Sequence, residues 1–443
     1  MIYVITYLFI LSLAFPIYHI VNAYRQSRYL ALPVPRKLRS FALIVPCYNE
    51  GNLVDSIYQN FSTIDYPAHE IIIVNDGSTD DTLPKLLDAF DFEVSGFLIP
   101  EGRLAYKDVN AIYRSRRHPN IYLLDKANGG KADSINAGID HATAEIIITL
   151  DADSFLKKDA LHRLNQSFEA KGVVAAGGNV QVVQSVKADG TFSFKNMNML
   201  LKLQTMEYLK GFYILKQSLA FNQALSIVSG AFGAFRRETL LDVGGFRITI
   251  GEDMDITMKI QKHIAGTTQR IVFDPLAICY TEIPCGYRDF FNQRIRWQKA
   301  FVDCLIAYLP AVMRRTFRDR FSFFFFFDSF HVGLLATVST FLFLVFTVVD
   351  PSVDTFWLLA VFFFATSFVS VLYNVVALLV ARRMGHRMGK REVATLAIVF
   401  LVDMLFYRFF NIFIIVAGSL LYFVNGHSWN KVDRSTTFYN FIP

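Results

Sequence analysis

Three long apolar runs, residues 323–349, 355–380 and 393–424, crowd the C-terminal end of the chain. At a rise of 1.5 Å per residue, each helix would be long enough to cross a hydrocarbon core of about 30 Å. In lipid only a helix or a closed barrel satisfies its own backbone polar groups, so these runs are expected as membrane helices. The excess of phenylalanine follows them: of 44 Phe residues, 24 lie beyond residue 316. The chain is therefore not one soluble globule. With 53% hydrophobic and only 19% charged residues it is not a disordered chain either.

The N-terminus adds a fourth apolar segment. Residues 1–18 carry no charge, and Arg25, Arg28, Arg36, Lys37 and Arg39 follow. A cleaved signal peptide would have its positive region first and a small-residue cleavage site after, and neither is present. The segment reads as a signal anchor over 1–23, with the N-terminus outside and the next residues in the cytoplasm. The link DPSVD between the first two C-terminal runs has no Lys or Arg, whereas the outer flanks carry Arg314, Arg315, Arg318 and Arg320, then Arg382, Arg383, Arg387, Lys390 and Arg391. Both outer flanks then belong in the cytoplasm, which makes residues 24–322 one cytosolic region. The net charge of +6 is accounted for by this topology, and no nucleic-acid partner is expected. The four cysteines form no metal-binding spacing and are expected as reduced thiols.

The last run, 393–424, holds Asp403 and Arg408. A charge at mid-bilayer costs about 2.5–3.5 kcal/mol on insertion scales, so such groups face protein or water, or mark a turn. Two arrangements satisfy this: one span with inward polar residues, or a membrane helix followed by an interfacial helix that returns the chain to the cytosol.

Within the cytosolic region, Phe41–Cys47, residues 70–76, 145–150 and 173–182 are short apolar, β-branched runs separated by helix-like stretches, and the first three end in polar loops. That alternation predicts an α/β domain, with a mostly parallel sheet flanked by helices. Ligands in such folds bind beyond the carboxyl ends of the strands. Those ends carry Tyr48, Asn49 and Glu50; Asp76, Gly77 and Ser78; and Asp151 and Asp153. Residues i and i+2 of a strand project to one side, so Asp151 and Asp153 could share a Mg2+ or Mn2+ ion that neutralises a diphosphate. A solvated turn is the competing reading of any isolated Asp-x-Asp. Gly129, Gly130 and Lys131 supply a flexible loop with one cation.

Gly251-Glu252-Asp253 precedes a helix expected over 254–264, where an acid either favours the dipole or serves as a general base. In a helical stretch expected over 281–322, Gln293, Arg296 and Trp297 share one face. Trp offers a plane for a sugar ring, Gln reads hydroxyls, and Arg binds diphosphate through its planar fork. The same pattern also suits an interfacial helix with an aromatic belt residue.

Taken in order, residues 46–50, 74–80, 130–132, 151–153, 251–253 and Gln293-x-x-Arg296-Trp297, followed by membrane spans, resemble the processive family 2 glycosyltransferases. These include cellulose, chitin, hyaluronan and poly-N-acetylglucosamine synthases; residues 207–246 most resemble the last group. The resemblance implies a GT-A fold over 24–280 that inverts configuration, turning a UDP-α-sugar into a β-linked product. It assigns Tyr48, Glu50 and Asp76 to uracil and ribose, Lys131 to the nucleotide's vicinity, Asp151 to the nucleotide and Asp153 to the metal. It makes Asp253 the base, sets Arg296 on the diphosphate, and gives Gln293 and Trp297 the acceptor. In the C-terminal residues 425–443, Trp429 and Arg434 resemble a gating loop that closes over the nucleotide from the cytosol, which favours the returning helix over a single span. Gly251 stands where many members have Thr or Ser.

The expectation is a multi-pass plasma-membrane enzyme with a cytosolic catalytic domain. It would polymerise UDP-N-acetylglucosamine into an exported, biofilm-type polysaccharide and pass it through the bilayer. The expected partners are the UDP-sugar donor, the growing polysaccharide, the lipid bilayer, and accessory export or modification proteins. A single transfer to a lipid carrier, a UDP-glucose-using β-glucan synthase and a non-catalytic transporter are the competing readings.

Overall fold

A computed structural model describes residues 2–28, 35–96, 98–187, 191–349 and 353–425. They divide into two compact units. One comprises the described residues of 35–183 and 227–282, and the other those of 2–28, 184–226 and 283–425. Segment 184–226, expected within the catalytic domain, thus groups with the membrane helices instead.

The first unit is built on a ten-stranded sheet: β1 (Phe41–Cys47), β2 (His69–Asp76), β3 (Phe92–Val94), β4 (Val109–Ser115), β5 (Ile121–Lys126), β6 (Ile146–Leu150), β7 (Phe155–Leu156), β8 (Val173–Val182), β9 (Phe232–Arg236) and β10 (Arg270–Thr281). Their spatial order is β3-β4-β5-β2-β1-β6-β9-β8-β10-β7. The central run β5-β2-β1-β6 is parallel, as is the β8–β10 pair. β9 is antiparallel to both neighbours, β6 and β8, and the outer strands β3, β4 and β7 also pair antiparallel. The expected α/β sheet is therefore present, with parallel ladders carrying most of its pairing.

The four strand runs expected from sequence are β1, β2, β6 and β8, and each is buried on both faces. Residues 41–45 of β1 and 71–74 of β2 have no exposed surface. Full burial of a Leu, Ile, Val or Phe side chain stabilises by about 1.5–3 kcal/mol, so this strand pair anchors the sheet. Between them, helix Val54–Ser62 buries Val54, Ile57 and Phe61 on one stripe. The far end of the sheet is fastened by Glu145, just before β6. It pairs with Arg39 and with Arg236 at 2.7 Å, and Lys37 lies 3.5 Å away. Because the central strands are parallel, their carboxyl ends emerge together on the opposite edge.

The second unit holds four helices long and apolar enough to cross a membrane: Tyr3–Gln26, Arg320–Thr347, Phe356–Arg383 and Arg391–Val424. No break interrupts the helical backbone from Lys390 to Asn425; it continues through a π stretch, Asp403–Tyr407. A helix that stops and turns back calls for a break that this backbone does not show. The cause lies in the polar partners that Asp403 finds without a turn: Lys210 at 3.3 Å, Asn374 at 3.0 Å and Ser370 at 3.4 Å. Buried at 6% exposure, it faces protein. His19 on the N-terminal helix is similarly placed, 2.8 Å from Ser218 Oγ and 3.0 Å from Asp328 Oδ2.

Candidate active site

The loops at the carboxyl ends of β1 and β2 are laced together. Asn49 N–H donates to Ser78 Oγ at 3.0 Å, Thr79 N–H to Asn49 Oδ1 at 2.8 Å, and Glu50 N–H to Thr82 Oγ1 at 2.8 Å. These bonds fix the half-buried Tyr48 and Glu50 on the rim. Gly77, at φ +64°, is required here: a Cβ would come within 2.8 Å of the Asn128 backbone nitrogen. Close approach of the β2 loop to residues 126–128, after β5, depends on its lack of a side chain.

Asp76 ends β2 at 3% exposure, and four donors fill its carboxylate. Lys126 Nζ and Gly129 N–H reach Oδ1, each at 2.9 Å. Gly130 N–H reaches Oδ2 at 2.8 Å and Asn128 Nδ2 at 3.2 Å. Lys126, fully buried, also lies 2.5 Å from Asp133. Asp76 thus moulds the glycine loop that opens helix Lys131–His141.

That loop delivers Lys131 into a carboxylate cluster. Its Nζ lies 2.8 Å from Asp151 Oδ1 and 2.9 Å from Glu252 Oε1. Burial works against its charge, but Asp151, Glu252 and Asp253 outweigh that and raise its pKa. Burial raises the Glu252 pKa, Lys131 pulls it down, and the neighbouring Asp253 charge pushes it up; the net direction is upward. Asp253 sits in the first turn of helix Glu252–Ile264, which begins two residues before the expected start. Its Oδ2 accepts Gly230 N–H at 3.1 Å and its Oδ1 accepts Met254 N–H at 2.8 Å. Both bonds hold the carboxylate at the start of the helix. A Cβ on Gly230 would lie 3.3 Å from Lys131 Nζ and 3.4 Å from Asp253 Oδ2, so this glycine lies against both side chains.

Asp151 and Asp153 lie half-buried just past β6. Burial pushes the Cys279 thiol upward, a hydrogen bond with Ser154 opposes this, and the charges of Asp151 and Asp153 add to the rise. No group of three His, Cys, Asp or Glu residues that could hold a metal is found among the described residues. Two carboxylates, with the remaining positions left to water and substrate phosphate, are a donor set that suits Mg2+ or Mn2+.

Gln293, Arg296 and Trp297 lie in the other unit, on helix Tyr287–Arg315. Trp297 is 41% exposed, while Gln293 Oε1 is buried and has no hydrogen-bond partner among the described residues. An unpartnered buried acceptor costs about 1–3 kcal/mol, a cost that a bound hydroxyl would relieve. Trp429 and Arg434 lie outside the described residues. Sequence reasoning missed Lys126 and the pairing of Glu252 with Lys131; adjacency to Asp253 was the only signal for Glu252.

The profile described as glycosyl transferase family group 2 matches residues 146–411, more than half of the chain. The chain belongs to that family. A second profile, glycosyl transferase family 2, matches residues 42–244, which contain the Asp76, Lys131 and Asp151 loops. Among curated proteins, the poly-beta-1,6-N-acetyl-D-glucosamine synthase of Staphylococcus aureus is 26% identical over 281 residues, 63% of this chain and 58% of the relative. The Staphylococcus epidermidis protein of the same name is 26% identical over 274 residues, 61% of this chain and 57% of the relative. The chain thus matches less than two thirds of the length of these relatives. Among solved structures, a mannosyltransferase from Pyrobaculum calidifontis in complex with GDP-Man and Mn2+ superposes with a TM-score of 0.53 at 19% identity, covering 94% of this chain and 98% of that one. The likeness supports the GT-A fold expected from sequence.

Proposed function

We propose that this glycosyltransferase is a membrane-embedded, inverting enzyme. It polymerises a UDP-sugar, UDP-N-acetylglucosamine foremost, into an extracellular polysaccharide and passes the product across the bilayer. The observation that carries the reading is the Lys131, Asp151, Glu252 and Asp253 cluster beyond the carboxyl ends of the strands. The named activity of the staphylococcal relatives supports the sugar. The catalytic unit is cytosolic, where UDP-sugars are made available, and the flanking arginines support that orientation.

In this mechanism Tyr48, Glu50 and Asp76 form or support the nucleoside end, while Lys131 and Arg296 hold the diphosphate. A Mg2+ or Mn2+ ion held by Asp151 and Asp153 would neutralise charge gathering on the leaving UDP. Asp253 takes the proton of the acceptor hydroxyl as its oxygen bonds to the anomeric carbon. The bond from that carbon to the phosphate oxygen breaks on the opposite face, and UDP leaves with the electron pair. Gln293 and Trp297 hold the acceptor sugar.

The test is purified full-length protein with a panel of UDP-sugars and Mg2+, Mn2+ or chelator, read by UDP release, product length and glycosidase digestion. Metal-dependent release of UDP from UDP-N-acetylglucosamine with a long β-linked product is expected. A product one sugar long would replace this reading with single transfer, and polymer confined to the nucleotide side of sealed vesicles would remove translocation.

A further inference from the structure

Arg294 lies inside the Gln293-to-Trp297 motif, yet neither the diphosphate nor the acceptor assignment uses it. Its guanidinium carbon stands 4.3 Å from the centroid of the Trp297 ring and 5.0 Å from that of Phe290. Its Nη2 donates to Glu207 Oε2 at 2.6 Å, and the other Glu207 oxygen accepts from Asn411 Nδ2 at 3.0 Å. The Arg294 and Glu207 side chains are mostly buried, whereas Trp297 is open. The indole is therefore backed by a cation, the cation is fixed by a carboxylate, and the carboxylate is tied to the last membrane helix.

Such backing has a defined effect. The terminal torsion of an aromatic side chain is broad, so an indole without a neighbour samples several planes. A guanidinium on the ring face attracts it electrostatically and blocks rotation toward that side. Stacking of a sugar ring needs one plane held still, because a small misplacement of a bound group lowers the fraction of productive complexes. A lysine would keep the charge but not the flat, stacked contact.

We propose that Arg294, held by Glu207 and Asn411, is a positioning residue for Trp297 that fixes the plane on which the terminal sugar of the growing chain stacks. The proposal rests on the acceptor reading of Gln293 and Trp297. Arg294 touches no substrate in this scheme; it acts through the indole.

The test uses detergent-purified full-length protein with UDP-N-acetylglucosamine and a short β-linked N-acetylglucosamine oligosaccharide as acceptor. Arg294→Gln is expected to raise the acceptor KM about tenfold and to shorten the product. The donor KM and UDP affinity should stay unchanged, a split that a merely structural role would not give. In a Trp297→Ala background the same substitution should add nothing further. Equal rises in donor and acceptor KM, or an undiminished effect without the indole, would overturn the proposal while leaving the acceptor reading intact. A Trp297→Ala protein with unaltered acceptor KM would overturn both. Glu207→Gln is the milder variant should Arg294→Gln fail to bind UDP: a smaller acceptor KM shift in the same sense is expected, and no shift would overturn the proposal.

Discussion

Replacing Asp76 with asparagine separates two roles that the residue could have. The resemblance sets it on uracil and ribose, whereas in the structure its carboxylate is filled by Lys126, Asn128 and the Gly129 and Gly130 N–H groups. An amide keeps one acceptor oxygen and puts an NH2 where the other stood. Whichever way it turns, two donors lose their acceptor at a site only 3% exposed. Each unsatisfied buried donor costs about 1–3 kcal/mol. Lys126 retains Asp133, which limits the loss, so a net cost of about 2–5 kcal/mol is expected. For a unit of this size each kcal/mol moves Tm by about 2–4 °C, giving a fall of about 4–20 °C. Hydrogen exchange across residues 126–131 should accelerate, and UDP affinity should fall with it because Lys131 follows that loop. An unchanged Tm and unchanged exchange, with UDP binding lost, would refute the reasoning and return Asp76 to direct contact with the nucleotide.

Three further outcomes are expected. Asp253→Asn should lower kcat by at least about a hundredfold with UDP affinity retained, measured by UDP release and calorimetry; full activity would remove Asp253 as base. Glu145→Gln should cost about 1 kcal/mol at pH 7, allowing for its partial exposure. Burial raises the Glu145 pKa, but its hydrogen bond with Arg236 and the charges of Arg39, Lys37 and Arg236 bring it below the ordinary 4.5. Its stabilisation is thus present above that value and lost as pH falls through the lower folded pKa. The gap between wild type and variant in thermal melts should close in that acid range, and a gap independent of pH would contradict the assignment. If the helix from Lys390 to Asn425 crosses the bilayer completely, a tag after residue 443 should be digested by protease added outside intact cells. Protection of the tag would instead return Trp429 and Arg434 to the cytosol.

The sequence was most legible where burial acts on consecutive residues. β1, β2, β6 and β8 stand out because both faces of each are covered, which leaves unbroken apolar runs. β4 and β5 do not, since β4 is mostly half-buried near the sheet edge and β5 ends in Asp125 and a buried Lys126. The Asp151, Asp153 and Asp253 motifs could be read because short spacing at element ends constrains where a side chain goes. The pairing of Asp76 with Lys126, 50 residues away, could not, because it depends on strand register. Nor could the grouping of residues 184–226 with the membrane helices, whose apolar stretches resemble any buried helix. At Asp403 the charge in the apolar run was noticed, but its partners on distant helices were not visible from spacing.

The π stretch at Asp403–Tyr407 changes how the last helix can be edited. A π turn accommodates one residue more than an α turn, and each residue advances a helix by about 100°. Deleting a single residue there would let the turn close to α geometry and leave the segment from Arg408 to Asn425 on its present face, whereas a deletion in the α turns on either side would rotate that segment by about 100°. Asn411 would then leave Glu207, although every side chain in the segment was unchanged. A deletion around residue 405 is therefore absorbed where it is made, while one in the flanking α turns acts as a rotary setting on everything downstream, its effect following the angle imposed rather than the identity of the residue removed.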